Sequence, residues 1–226
     1  MLTIVVEPDV REIGAFLATC VVAGASVRDD WPGLSDLIAE LEEKVRREHT
    51  LEGLKEHPIV RAYRDFFWRI GIDPTKTRPS AEALVRRILS GRGLPRINNV
   101  VDAGNIASVE TLVPIGLYDF DRLKGTLRLR FAEEGEEFHP IGGRPHELSG
   151  GVPVLADDEG VIHLFPHRDS VRTMIRPDTS RVLAVACGVP RVDEGLVVRA
   201  ARRTAELIVE FAGASTAEGP KLHGVG

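Results

Sequence analysis

Leu94-Pro95-Arg96-Ile97-Asn98-Asn99-Val100-Val101-Asp102-Ala103-Gly104-Asn105, continued through Pro114 to Tyr118-Asp119-Phe120-Asp121, is the stretch that decides how this chain is read. Asn98, Asn99, Asp102 and Asn105 crowd its first half. Asn and Asp fix turns by hydrogen bonding from the side chain to nearby backbone; ligand contact is the alternative at each position.

Outward from this stretch, the apolar pattern changes character. Leu2–Val6 and Leu17–Val22 are short, apolar and β-branched, as buried strands are. Leu34, Leu37, Ile38, Leu41 and Val45 recur at helical spacing. A second helix is expected from Pro58, presenting Tyr63, Phe66, Phe67 and Ile70 until Gly71 ends it. After a loop over 71–79, Ala81, Leu84, Val85, Ile88 and Leu89 mark a third helix, stopped by Gly91 and Gly93. Thr126–Phe131 alternates as a half-buried strand does, and residues 152–165 read as a hairpin. Residues 182–187 read as a central strand and 195–212 as a last helix. Helices early and late with short strands between them predict an α+β fold. The expected organisation is an N-terminal extension, 1–57, folded onto a core of 58–212, with a flexible tail over 213–226.

The 226 residues, 43% of them hydrophobic, suffice for one well-buried core. No stretch approaches the roughly 20 apolar residues of a membrane span, so no membrane partner is expected. Met1–Glu7 lacks a basic n-region and a long apolar segment, so a secretory leader is not expected. Cys20 and Cys187 each sit in an apolar run, as free buried thiols do, which suits a cytoplasmic protein. The net charge of -5 argues against a general nucleic-acid coat, yet residues 61–96 hold nine basic against three acidic side chains. Such a segment is either a confined phosphate-binding footprint or a set of solvated helix faces. The seven His and two Cys show no paired ligand spacing, so neither a metal nor another cofactor is expected.

The run from Asn98 to Asp119 resembles, without a gap, the start of the B3/B4 domain of the phenylalanyl-tRNA synthetase β subunit. There the pattern is P-I-N-N-V-V-D-x-T-N-Y, seven residues, then P-x-H-A-F-D. The whole chain is also similar to free-standing B3/B4 proteins, which carry a stretch like Gly71–Ser80. The resemblance implies an α+β, B3/B4-type domain with packed β layers flanked by helices, and a site that hydrolyses mischarged tRNA. It also places Gly104 where the family has Thr, Gly116 where it has His, and Val185 where it has the Glu that reads a tyrosine hydroxyl. Tyrosine discrimination by the family's means is therefore not expected, because a buried hydroxyl without an acceptor costs about 1–3 kcal/mol. The two glycines are expected to enlarge the space or to let backbone approach a ligand. Asn105, beside the Thr position, becomes the pocket candidate among the polar residues.

A second cluster, Pro166-His167-Arg168-Asp169-Ser170-Val171-Arg172-Thr173, follows a strand. If that strand continues, His167 and Asp169 share one face and Arg168 and Ser170 the other. His167 would then position or deprotonate a water, with Asp169 orienting its ring and an Arg holding a phosphate or carboxylate. The alternative is an Arg168–Asp169 ion pair that pins the loop. Arg78, Arg86, Arg87, Arg92 and Arg96 gather around one helix and its exit, where guanidinium groups would hold the phosphates of a tRNA. Arg86 and Arg87 stand about 100° apart on a helix, so one continuous patch is not assured.

Three functions remain open: hydrolysis of mischarged aminoacyl-tRNA in trans, a non-catalytic module binding tRNA or an amino-acid-like ligand, and an enzyme on a small anionic substrate. A pocket where His167 and Asn105 meet with basic residues at its rim would favour the first. Aminoacylation by this chain alone is not expected, since it shows no sign of an ATP-binding catalytic core.

Overall fold

The computed structural model describes residues 2–225. It opens with β1 (Ile4–Val6), α1 (Pro8–Glu12) and β2 (Phe16–Ala23), followed by helices α2 (Leu34–Glu48), α3 (Leu51–Leu54), α4 (Pro58–Arg69), α5 (Ser80–Leu89) and α6 (Asn99–Thr111). Strands β3 (Ile115–Asp119), β4 (Leu127–Phe131), β5 (Glu137–Phe138) and β6 (His146–Glu147) come next. The chain continues through β7 (Pro153–Asp157), β8 (Gly160–Leu164), β9 (Arg168–Asp169) and β10 (Arg181–Gly188) to α7 (Glu194–Ala212) and β11 (Ser215–His223).

Two main sheets carry the fold, which is α+β. One is ordered β11-β2-β10-β3, the other β1-β4-β7-β8-β9, and β5 and β6 pair separately. β2 and β10 run antiparallel in register from Phe16 opposite Gly188 to Ala23 opposite Arg181. Nearly every residue of both strands is buried, because α7 covers one face of the four-stranded sheet and the five-stranded sheet packs near the other. An edge-to-face contact of Tyr118 with His163 joins the two sheets, and one of Phe66 with Phe165 packs α4 against the residue after β8.

Residues 1–57 are more deeply built in than an extension lying on a core. β2 lies between β11 and β10, and β1 adds to β4 in parallel. An apolar strand buried on both faces needs partners for its backbone on both edges, and only an interior sheet position supplies them. The same demand corrects the expected flexible tail: Ser215–His223 forms β11 and pairs with the free edge of β2, interrupted by two register shifts.

A helix, α6, replaces the turns expected at 98–105. Asn98 caps it, its side chain accepting from Val101 N at 2.9 Å, and Asp102 accepts from Ile97 N at 3.0 Å. Asn99 is fully buried and uses its whole amide: Oδ1 accepts from Arg28 N, while Nδ2 donates to Ser26 O and Phe211 O. It thereby ties the segment after β2 and the end of α7 to the start of α6. Three of the four polar side chains of the opening stretch are thus structural, through a helix terminus rather than a turn.

Candidate functional site

Two cavities meet beside α6. The larger is an open cleft of about 670 Å³, lined by Lys76, Thr77 and Arg78 of the loop before α5, by Arg86 and Arg87 of α5, and by Arg92 after it. Asn105 and Ser108 of α6, Ile115 of β3, and His167, Arg168 and Asp169 close the opposite wall. The smaller, about 170 Å³, is apolar, bounded by Ile97, Val101, Gly104, Leu117, Ile141, Met174 and Ile175. Asn105, Ile115 and Asp169 line both, so they form the wall between the cleft and the pocket. Asn105 and His167 therefore converge at a cavity with a basic rim.

The charge of the cleft is one-sided. Among the described residues Lys76, Arg78, Arg86, Arg87, Arg92 and Arg168 line it against a single carboxylate, Asp169. Among the described residues Arg86 has one distant carboxylate, Glu82 at 4.0 Å, and Lys76, Arg78, Arg87, Arg92 and Arg168 have none within ion-pair reach. Arg87 Nε is buried without a hydrogen-bond partner among the described residues. Cations held together without counter-charges raise the local potential and favour an anionic ligand. Arg96 is the exception in the expected group: it turns away to Asp102 (3.2 Å) and Ser35 Oγ (3.0 Å), and does not line the cleft. Its position just before the α6 cap binds it to that helix's own first-turn carboxylate.

The 166–173 cluster is arranged differently from the strand continuation considered above. β8 ends at Leu164, the chain turns with His167 N donating to Leu164 O, and β9 returns antiparallel with Asp169 opposite His163. Asp169 consequently orients His163, not His167: His163 Nδ1 lies 2.7 Å from Asp169 Oδ1, and the Tyr118 hydroxyl donates to the same oxygen at 2.9 Å. A carboxylate acceptor places the hydrogen on Nδ1. Burial holds the Tyr118 phenol well above its usual range, with the Asp169 charge adding to it, so it remains a donor. On the far side His163 Nε2 approaches Cys187 Sγ at 3.8 Å.

His167 lies with its ring edge against Phe67 and its Nδ1 buried without a hydrogen-bond partner among the described residues. Burial, with His163 and Arg168 adding to it, lowers its imidazole from 6.5 to about 3. At neutral pH it is an uncharged ring and a weak base. Arg168 donates to Ile141 O at 3.2 Å and does not pair with Asp169, so the proposed loop-pinning ion pair is absent among the described residues. Ser170 is buried, its Oγ accepts from Arg172 N, and it lines neither cavity; the antiparallel return of β9 turns it away from the cleft.

The two glycines do not leave empty space. A Cβ on Gly104 would stand 2.6 Å from Leu117 Cδ1, and one on Gly116 would collide with the Tyr118 hydroxyl. Gly104 still borders the apolar pocket, whereas Gly116 lines neither cavity; it makes room for the Tyr118–Asp169 bond. Val185 is fully buried opposite Gly116 and also lines neither. His163 and Tyr118 escaped the sequence reading because their role depends on the β8–β9 register and on the packing of two sheets.

Residues 62–213, the part that builds both cavities, match the B3/4 domain. The chain belongs to the B3/4 domain family. It is similar to the phenylalanine--tRNA ligase beta subunit of Tropheryma whipplei (strain Twist), 32% identical over 146 residues, which are 65% of this chain and 15% of that subunit. The Bartonella quintana (strain Toulouse) subunit is 36% identical over 95 residues, 42% of this chain and 12% of the subunit. The Rhodopseudomonas palustris (strain ATCC BAA-98 / CGA009) subunit is 38% identical over 86 residues, 38% of this chain and 11% of the subunit. The matched stretches are thus a small fraction of those ligase subunits. An N-terminal fragment of the Pyrococcus horikoshii phenylalanyl-tRNA synthetase beta subunit superposes with a TM-score of 0.51 at 19% identity, covering 98% of this chain and 50% of that one. That likeness is one of fold.

Proposed function

We propose that this B3/4 protein takes the 3′ end of an aminoacyl-tRNA into the cleft and hydrolyses its ester in trans. The observation that carries this reading is the shared wall: Asn105, Ile115 and Asp169 separate a cleft rich in unpaired cations from an apolar pocket. An aminoacyl-tRNA end has the same division, with phosphates on one side of the ester and an amino-acid side chain on the other. Arg78, Arg87 and Arg92 hold phosphate, and the side chain enters between Gly104, Leu117, Met174 and Ile175. In this arrangement Asn105 and His167 flank the ester. Water adds to the ester carbonyl, the bond to the ribose oxygen breaks, and a proton from the water passes to that oxygen. His167, neutral at pH 7, accepts a hydrogen bond from the water and positions it, a role that needs no strong base.

A second reading, binding without hydrolysis, is favoured by the low basicity of His167. Both are separated by measuring amino-acid release from a panel of correctly and wrongly charged tRNAs, with Asn105→Ala and Arg87→Ala variants alongside. Release from at least one mischarged species, reduced in both variants, is expected. No release from any, with retained binding of charged tRNA, would replace hydrolysis by the binding module. A protein that neither binds nor releases would remove both.

A further inference from the structure

Among the described residues Asp169 is the only acidic side chain lining either cavity, and it stands where they join. A carboxylate among six cations would ordinarily swing onto the nearest guanidinium. This one pairs with none of them among the described residues; its ion-pair neighbour is His163, behind it. Both of its hydrogen bonds, from the Tyr118 hydroxyl at 2.9 Å and His163 Nδ1 at 2.7 Å, fall on Oδ1. Oδ2 receives none among the described residues, and the side chain remains one-quarter exposed toward the cavities. The two donors are themselves fixed: Tyr118 is fully buried and His163 nearly so, between the sheets. Gly116 is what lets the Tyr118 hydroxyl reach this position. The carboxylate is therefore held by its back oxygen and presents the front one at a chosen point.

That point lies between the place for phosphate and the place for an apolar side chain. Resting on the reading of the cleft given above, we propose that Asp169 receives the α-ammonium of the aminoacyl group, making the protein selective for a free amine over an N-acylated one. A ligand with an anionic end, an apolar branch and a cation at the branch point matches the cleft, the pocket and Asp169 in turn. A wholly anionic ligand would leave Asp169 facing a like charge, and an N-acyl group would bring bulk and no charge to Oδ2.

The test is calorimetric titration with 3′-aminoacylamino-3′-deoxyadenosine 5′-phosphates bearing apolar side chains, each as free amine and as N-acetyl derivative, against the wild type and Asp169→Asn. The asparagine keeps an acceptor for Tyr118 and His163 and removes the charge. The wild type is expected to bind the amine about ten- to a hundredfold more tightly than the acetylated form, the range of one charged hydrogen bond. In Asp169→Asn the two forms are expected to bind alike. Equal binding of both forms by the wild type would overturn the role of Asp169 while leaving the reading of the cleft standing. Discrimination preserved in Asp169→Asn would do the same. No binding of either form by the wild type, for any side chain, would overturn that reading and this inference with it. Should Asp169→Asn fail to fold, the amine-to-acetyl ratio of the wild type alone decides.

Discussion

Asp169 and His163 face each other at 2.7 Å across the short β8–β9 hairpin, and the Tyr118 hydroxyl from the neighbouring sheet closes on the same oxygen. One carboxylate thus locks the two sheets together at the edge of the cleft. Replacing Asp169 by Ala strands two buried donors, each at about 1–3 kcal/mol, so a loss of about 2–6 kcal/mol is expected in urea unfolding. Asp169→Asn, which retains an acceptor, is expected to stay within about 1 kcal/mol of the wild type. Equal losses in both variants would mean that the charge, not the acceptor, holds the hairpin.

The glycines at the family's polar positions respond differently to a methyl group. At Gly116 the added Cβ meets the buried Tyr118 phenol, which cannot retreat, and overpacking of about 1–3 kcal/mol together with a broken Tyr118–Asp169 bond is expected. At Gly104 the obstacle is a Leu117 methyl, which can swing into the apolar pocket, and the gain in helix propensity of about 1 kcal/mol offsets part of the strain. Thermal unfolding should therefore rank Gly116→Ala well below Gly104→Ala. Binding of apolar ligands should weaken in Gly104→Ala, whose pocket has shrunk.

The basic residues divide into those that face the cleft and one that does not. Arg87→Ala and Arg92→Ala are each expected to reduce the salt dependence of single-stranded RNA binding by roughly 0.7 in the logarithmic slope. Arg96→Ala should leave that slope unchanged and lower stability, since it exposes the buried Asp102 carboxylate to the loss of its guanidinium. Fluorescence anisotropy across a salt series distinguishes them; a slope change in Arg96→Ala would place it at the RNA after all.

His167 ties stability to pH. Its folded-state value of about 3 lies below the ordinary 6.5, so the unfolded chain binds the proton more readily. The stability due to the neutral ring is complete above about pH 6.5 and is lost as pH falls toward 3, by up to about 1.4 kcal/mol per pH unit. His167→Asn should remove that slope from pH-dependent unfolding, and a His167 ring proton titrating by NMR near 6.5 would contradict the burial that causes it. The amphipathic α2, α4, α5 and α7 show why other parts of the chain were easier to read.

Those helices carry their apolar residues on one stripe, and α4 and α5 fall where the spacing put them. α6 carries no such stripe, because Val100, Ala103, Gly104, Ile106, Ala107 and Val109 are buried around it. Its cap residues, Asn98 and Asp102, suit turns as well as a helix terminus, so they do not by themselves announce a helix. β11 lacks apolar alternation altogether and exists because β2 offers it an edge. In the site, the residue types of Asn105, His167, Asp169 and the arginines carried a local signal. The partnership of Asp169 with His163 and Tyr118 did not, since it is set by a hairpin return and by contacts 51 residues apart in the chain.

A crystal structure with a 3′-aminoacylamino-3′-deoxyadenosine 5′-phosphate bearing an apolar side chain would show whether the cleft and the pocket divide an aminoacyl-tRNA end between them. The side chain is expected between Gly104, Leu117, Met174 and Ile175, the amide between Asn105 and His167, and the phosphate toward Arg78, Arg87 and Arg92. A ligand seated in another cavity, or one whose phosphate enters the apolar pocket, would contradict that division.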